Sequence, residues 1–234
     1  MSLLRGRGVT KSFGGLLALS RVDFEVGAGE IVGLIGPNGA GKTTLINTIS
    51  GIDKPDAGSI AFDGRELTRL SPDRITKLGV ARTFQIPQPF PTLSALENVV
   101  VALVFGGAAM GLDAAEARAR DILDFVGLSA KAWDRPESLT IVELRKLELA
   151  RALASGARLL LLDEINAGLT SGEIGEAVAL IQKLRQRGMT DLMVEHLMRP
   201  NVGFAETDKL PMNMHLGLAY KSLWMSLVGE LKLR

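Results

Sequence analysis

Eight consecutive residues carry the densest chemistry in the chain: Gly36-Pro37-Asn38-Gly39-Ala40-Gly41-Lys42-Thr43. They fill every required position of the pattern G-x-x-x-x-G-K-[ST]. Glycines at 36, 39 and 41 allow a tight turn that aims backbone N–H groups inward. A lysine and a hydroxyl follow at once. That set suits a polyphosphate: N–H groups cradle it, Lys42 reaches the β and γ phosphates, and the Thr43 hydroxyl can ligate Mg²⁺. The flanks agree. The apolar run 31–35 has strand length, and the stretch from Thr44 to Ser50, stopped by Gly51, reads as a helix whose N-terminus adds partial positive charge. A plain glycine turn would need neither the lysine nor the hydroxyl.

A second pair of reactive groups stands at Asp163-Glu164, after Leu159-Leu160-Leu161-Leu162. Four apolar residues in a row predict a strand buried on both faces. Its C-terminal end is where open α/β sheets place ligands. Asp163 is the natural partner for Mg²⁺, and Glu164 is placed to polarise a water for attack on the γ-phosphate. Gln85 and His196 also fall at the ends of expected strands. Gln85 can meet a metal-bound or attacking water, or be an ordinary loop glutamine. A lone histidine is more often structural; its company with Gln85, Asp163 and Glu164 favours contact with the γ-phosphate.

The elements that must hold these groups are legible around them. Residues 3–13 and 17–26 read as strands with a turn at Gly14-Gly15, an antiparallel start. Phe13 at that tip can stack on a purine or pack in the hairpin core; the sequence leaves both open. Residues 58–62 form a short strand closed by the turn signal Asp63-Gly64. Residues 72–78 predict a short helix and 79–84 a strand. Pro87, Pro89 and Pro91 predict an extended, exposed segment. From residue 93 to 126 the period is helical, broken at Gly106-Gly107 and Gly111. Thr140 and Glu143 form an S/T-x-x-E capping box for a helix through Ala154; such a helix start can also bind an anion. Further on, a helix from Ser171 to near Gly188 and a strand over 191–195 are expected.

Composition sets the outer bounds. The chain has 234 residues, 27 basic against 26 acidic, and no cysteine. Balanced charge argues against holding nucleic acid by bulk electrostatics. Disulfides, thiolate metal sites and cysteine nucleophiles are excluded. Arg5, Arg7 and Lys11 break any apolar core a signal peptide would need. The longest uncharged run, 98–112, is too short to span a bilayer. A soluble protein with a high apolar fraction is expected.

Taken together, these motifs resemble the ATP-binding subunit of an ABC transporter over about residues 3–200. The resemblance rests on the loop 36–43, the glutamine after Thr83-Phe84, the strand 159–164, the turn Ala167-Gly168-Leu169-Thr170, and His196. It implies an α/β P-loop NTPase fold of the ABC ATPase type. A mostly parallel core sheet would carry an N-terminal antiparallel β subdomain and an inserted helical subdomain over about 88–155. The domain would span 1–199. By the same resemblance Phe13 would stack on adenine, and Gly36, Pro37, Asn38, Gly39, Ala40, Gly41, Lys42, Thr43 and Thr44 would bind the nucleotide. Thr43, Gln85 and Asp163 would serve Mg²⁺. Glu164 would be the general base, Gln85 would sense the γ-phosphate and His196 would clamp it. Cofactors would be ATP and Mg²⁺.

Partners implied are a second ATP-binding subunit, identical or not, membrane-spanning permease subunits and, indirectly, a substrate-binding protein. The place would be the cytoplasmic face of the membrane. The runs Gly79-Val80-Ala81-Arg82-Thr83-Phe84-Gln85, Arg145-Lys146-Leu147-Glu148-Leu149-Ala150-Arg151-Ala152-Leu153 and Val194-Glu195-His196-Leu197-Met198-Arg199 are similar to the ATPases of branched-chain amino-acid importers. Alternatives are a nucleotide-binding subunit with weak turnover and a soluble ABC ATPase outside transport.

Two stretches depart from the family pattern. The signature Leu-Ser-Gly-Gly-Gln, which completes the ATP site of the opposite subunit, is replaced by Leu139-Thr140-Ile141-Val142-Glu143. Thr140 keeps a hydroxyl, and Val142 keeps an N–H but adds a β-branched side chain. Glu143 adds negative charge unless it folds back on Thr140. Residues 200–234 lack the family's usual strand and hairpin. Leu216, Leu223, Leu227 and Leu231 fall on one helical face there, beside Trp224. An amphipathic docking helix and a divergent, poorly packed tail are both open.

Overall fold

Two long strands, β1 (Ser2–Phe13) and β2 (Leu16–Gly27), pair antiparallel through the two-residue turn Gly14-Gly15. β4 (Ala57–Phe62) and β5 (Arg65–Glu66) extend this sheet in the order β2-β1-β4-β5. Asp63 and Gly64, both at positive φ, turn β4 into β5, as the Asp-Gly pair predicts. The computed structural model describes residues 2–83, 87–107, 109–163, 171–186 and 189–195. Gln85, Glu164, the turn 167–170, His196 and the tail 200–234 lie outside the described residues.

A second sheet carries the chemistry. Its order is β3-β8-β7-β6, with β3 (Ile31–Ile35), β6 (Val80–Arg82), β7 (Leu159–Asp163) and β8 (Thr190–Glu195) paired parallel throughout. β7 is a central strand, and its four leucines are each 0–2% exposed. The period of two divides them between the faces. Leu159 and Leu161 join Val32, Ile46 and Ile49 in one apolar cluster, while Leu160 and Leu162 join Leu149, Ile181 and Leu184 in another. This is why an unbroken apolar run precedes Asp163. Parallel pairing also puts the C-terminal ends of β3 and β7 on one edge, with only β8 between them. Ile35 pairs with Glu195, and Asp163 with Val194. At about 4.8 Å per strand, the two ends lie roughly 10 Å apart.

Helix α1 (Lys42–Ile49) follows β3, and α2 (Pro72–Lys77) precedes β6. α3 (Ala95–Phe105), α4 (Leu112–Val126) and α5 (Ile141–Ala154) enclose an apolar cluster of their own, including Leu96, Val99, Ala119, Leu123 and Leu147. α4 ends at Gly127, whose φ of 74° suits a residue without Cβ. α5 serves both bodies. Its Leu147 and Ala150 face the helical cluster, and its Leu149 and Ala152 face β7 and α6 (Ser171–Gln186). Among the described residues no helix is long and apolar enough to cross a membrane.

Two elements differ from expectation. α1 begins at Lys42, two residues before the run that reads as helix, because Gly41 in left-handed backbone starts it. β6 stops at Arg82, although the Thr83 N–H still donates to Leu161 O at 3.0 Å.

Candidate nucleotide-binding site

The loop between β3 and α1 is built by its glycines. Gly39 and Gly41 sit at φ of 80° and 83°, which costs a side-chain-bearing residue about 1–2 kcal/mol. Gly41 is constrained twice, since a Cβ there would lie 2.6 Å from the carbonyl oxygen of Ala18. The loop therefore rests directly on β2. Gly36 is buried, and Pro37, Asn38, Gly39 and Ala40 are exposed. Lys42 is only 7% exposed. Its Nζ donates to Gly36 O at 2.6 Å and to Pro37 O at 2.9 Å, so the loop curls around the ammonium. Thr43 is exposed, and Thr44 is half-buried with its carbonyl accepting from Thr48 Oγ1. α1 has no side-chain cap and no acidic residue in its first turn. Its N-terminal donors face no competing carboxylate from their own helix.

This set fits a polyphosphate: a glycine-built loop, a buried cation and a helix with no acid in its first turn. The exposed Thr43 hydroxyl at the end of the loop is a hard oxygen donor of the kind that Mg²⁺ takes. The backbone of Asp163 closes β7 on the loop's edge of the sheet. Glu164, Gln85 and His196 fall outside the described residues.

The β1–β2 hairpin comes down beside this loop. Phe13 pairs with Leu16, and Ser12 with Leu17, one residue before the Ala18 that touches Gly41. Phe13 is 46% exposed, so packing in the hairpin core does not account for its ring. Leu16 and Leu17 are also exposed.

The Thr140 end of α5 is organised differently. Thr140 Oγ1 accepts the Glu143 N–H at 3.3 Å, and Glu143 Oε2 accepts the Thr140 N–H at 2.8 Å. Glu143 thus folds back as the box partner that the spacing predicts. That bond to the Thr140 N–H, with help from the Thr140 hydroxyl, Lys131 and Lys146, holds its carboxyl below the usual carboxylate range. Val142 is half-buried and Ile141 is exposed.

Three groups near the site are missed by sequence reasoning. Arg82 Nη1 donates to Asn47 Oδ1, joining the end of β6 to α1. Arg151 Nη1 donates to Gln88 O at 2.6 Å, and its guanidinium stacks 4.7 Å from the centroid of Phe90. Asn98 brackets Phe90, taking its N–H and donating to its carbonyl. The proline segment after Gln85 is thereby tied to α3 and α5, rather than simply exposed. The third group is Asp56. It accepts the Ser12 N–H at 2.6 Å and the Lys11 ammonium at 3.3 Å. Those two bonds hold its carboxyl below its usual value, the backbone bond most. No local pattern signals these contacts, which join residues 35 to 63 positions apart in Arg82–Asn47, Asp56–Lys11 and Arg151–Gln88.

Comparison with known proteins agrees with this geometry. The sequence profile of the ABC transporter family matches residues 19–167, well over half of the chain. The chain belongs to the ABC transporter ATPase family. It is 37% identical over 207 residues to a probable branched-chain amino acid transport ATP-binding protein, LivG, of Archaeoglobus fulgidus, covering 84% of this chain and 80% of that one. It is 35% identical over 198 residues to the lipoprotein-releasing system ATP-binding protein LolD of Bacteroides thetaiotaomicron, covering 83% and 90%. Among solved structures, a dimeric ABC cassette in a post-hydrolysis state, bound to ADP and Pi, superposes with a TM-score of 0.74. It is 31% identical and covers 85% of this chain and 89% of that one. The chain is thus an ATP-binding subunit of the ABC transporter type, with the ATPase activity of that family.

Proposed function

We propose that this ABC ATPase powers uptake of branched-chain or related amino acids. Two such subunits, identical or not, would close on two ATP molecules with near two-fold symmetry. The observation that carries the nucleotide assignment is the loop 36–43, whose left-handed glycines close on a buried Lys42 beside the end of β7. Lys42 offsets charge on the β and γ phosphates, and Phe13 takes the base. Thr43 and Asp163, with help from Gln85, would hold Mg²⁺, which would supply charge neutralisation at the phosphates. Glu164 takes a proton from the attacking water, and Gln85 and His196 meet the γ-phosphate.

The Thr140 end of α5 faces the phosphates bound by the opposite subunit. Its box uses the N–H groups of Thr140 and Glu143. Those of Ile141 and Val142 head the helix, where no intrahelical acceptor exists. Closure by ATP and reopening after hydrolysis would reach the permease subunits through the segment after Gln85. A cleft of about 440 Å³, lined by Arg82, Gln88, Phe90, Phe105 and Arg151, supports a docking place there. The chain would then sit on the cytoplasmic face of the membrane, served indirectly by a substrate-binding protein.

Lys42→Ala tests the assignment: it abolishes ATP binding or turnover, and unaltered turnover sinks it. Uptake of labelled leucine by vesicles carrying the chain and its permeases tests the cargo. The relatives named for branched-chain transport favour that cargo, and the lipoprotein-releasing relative is its rival. A weak-turnover subunit is favoured by one observation, the self-satisfied Thr140–Glu143 box with its carboxylate. Phosphate release by the chain, alone or with permeases, counts against that reading.

A further inference from the structure

The tip of the β1–β2 hairpin carries a cation that the functions assigned so far do not use. The Lys11 ammonium lies 5.2 Å from the centroid of the Phe13 ring. It is held there. Lys11 Nζ donates to Asp56 Oδ1, while Asp56 Oδ2 accepts the Ser12 N–H. The Asp56 backbone N–H donates in turn to Thr10 O at 2.8 Å. One residue thus clamps positions 10, 11 and 12, just before the exposed ring. The Lys11 side chain is only 15% exposed, whereas Phe13 is an exposed residue. The lysine is packed down, and the ring is left open.

We propose that Lys11 is a positioning residue for the nucleotide base, acting through the Phe13 ring. It rests on the assignment of Phe13 as the surface that takes the base. A cation over one face of an aromatic ring is attracted by the ring quadrupole. It fixes the ring's orientation and fills that face, so a purine has the other face alone. It also draws π density from the ring, which improves stacking with an electron-rich purine on the free side. Ordering the ring beforehand removes part of the entropy that binding would otherwise cost. A direct role for Lys11 on phosphate is disfavoured by Asp56, whose carboxylate already balances the ammonium.

The test measures equilibrium binding of ATP and of inorganic triphosphate to the full chain by calorimetry. Lys11→Met keeps the stem and removes the charge. It should weaken ATP by up to about two- to fivefold, because the ring ordering lost can cost no more than the exposed cation–π contact that supplies it. Inorganic triphosphate, which has no base, should bind unchanged, and this also reports that the loop is intact. Lys11→Arg should restore ATP affinity. In a Phe13→Ala background, Lys11→Met should have no further effect. An equal loss for ATP and inorganic triphosphate overturns the proposal, because Lys11 then acts as a phosphate cation. Unchanged ATP affinity in Lys11→Met, with a loss in Phe13→Ala, overturns it while leaving the base surface standing. If Phe13→Ala itself binds ATP like the parent, the base surface and the proposal fall together, and the phosphate loop stands or falls separately with Lys42→Ala.

Discussion

Helices α1 and α5 both begin where a phosphate is expected, and they begin in opposite ways. α1 starts from Gly41 in left-handed backbone, with no side-chain cap and no acid in its first turn. α5 starts from Thr140 in extended backbone, with a reciprocal capping box and Glu143 in its first turn. A cap is worth about 1 kcal/mol to a helix. α1 forgoes it and keeps its donors available to a ligand. α5 has it and satisfies two of its own donors. The difference shows which surface is made to bind and which is made to be stable first. The loop is a ready anion site. The Thr140 end is a capped helix start whose box already uses the N–H groups of Thr140 and Glu143, and under the proposed function it would close on the nucleotide of the partner subunit. Ser94 begins α3 with the same box as Thr140. That box stands beside no expected phosphate, so the device on its own is a stabiliser.

The largest expected effect comes from the ammonium inside the loop. Lys42→Ala should weaken ATP about a hundredfold or more, since charged hydrogen bonds contribute about 1.5–3 kcal/mol each; calorimetry reads it. A loss under tenfold would break the comparison, because the loop would no longer be the dominant site. Gly41→Ala comes next. The left-handed backbone alone costs about 1–2 kcal/mol, and the clash with Ala18 O adds to it. ATP affinity and urea stability should fall together, whereas a stable variant that binds normally would mean the loop does not rest on β2. Thr140→Ala should lower stability by about 1 kcal/mol while leaving ATP binding to the single chain intact. A change in single-chain affinity would show that α5 serves its own chain's nucleotide.

The smallest effect is acid dependence at Glu143. Its carboxyl is held below its unfolded value, so its contribution is complete above the unfolded carboxylate pKa. The contribution is lost as pH falls through the folded value. Glu143→Gln should therefore narrow the stability gap between pH 7 and pH 3 in urea titrations. An unchanged gap would mean the box bond does not depend on the charge.

What could be read in advance follows the range of the interactions. The phosphate loop, the Thr140–Glu143 box, the Asp63-Gly64 turn and the buried strand before Asp163 are short-range features, each contained in a few neighbouring residues. The Asp56 clamp on Ser12 and the Arg151 tie to Gln88 join positions 44 and 63 apart, and only the fold brings them together. Phe13 lies between these cases. Its place at a hairpin tip follows from Gly14-Gly15, but its exposure is seen only in the folded hairpin.

The most direct measurement is the mass of Glu164→Gln in solution with Mg²⁺-ATP, by size-exclusion chromatography with light scattering. Glutamine keeps the side-chain shape and removes the base, so a closed pair should accumulate. The account predicts a species of twice the 25.0 kDa chain mass, formed with ATP and lost in Lys42→Ala. A chain that binds ATP and stays at 25.0 kDa would contradict the claim that the loop of one subunit and the Thr140 end of the other close on the same nucleotide.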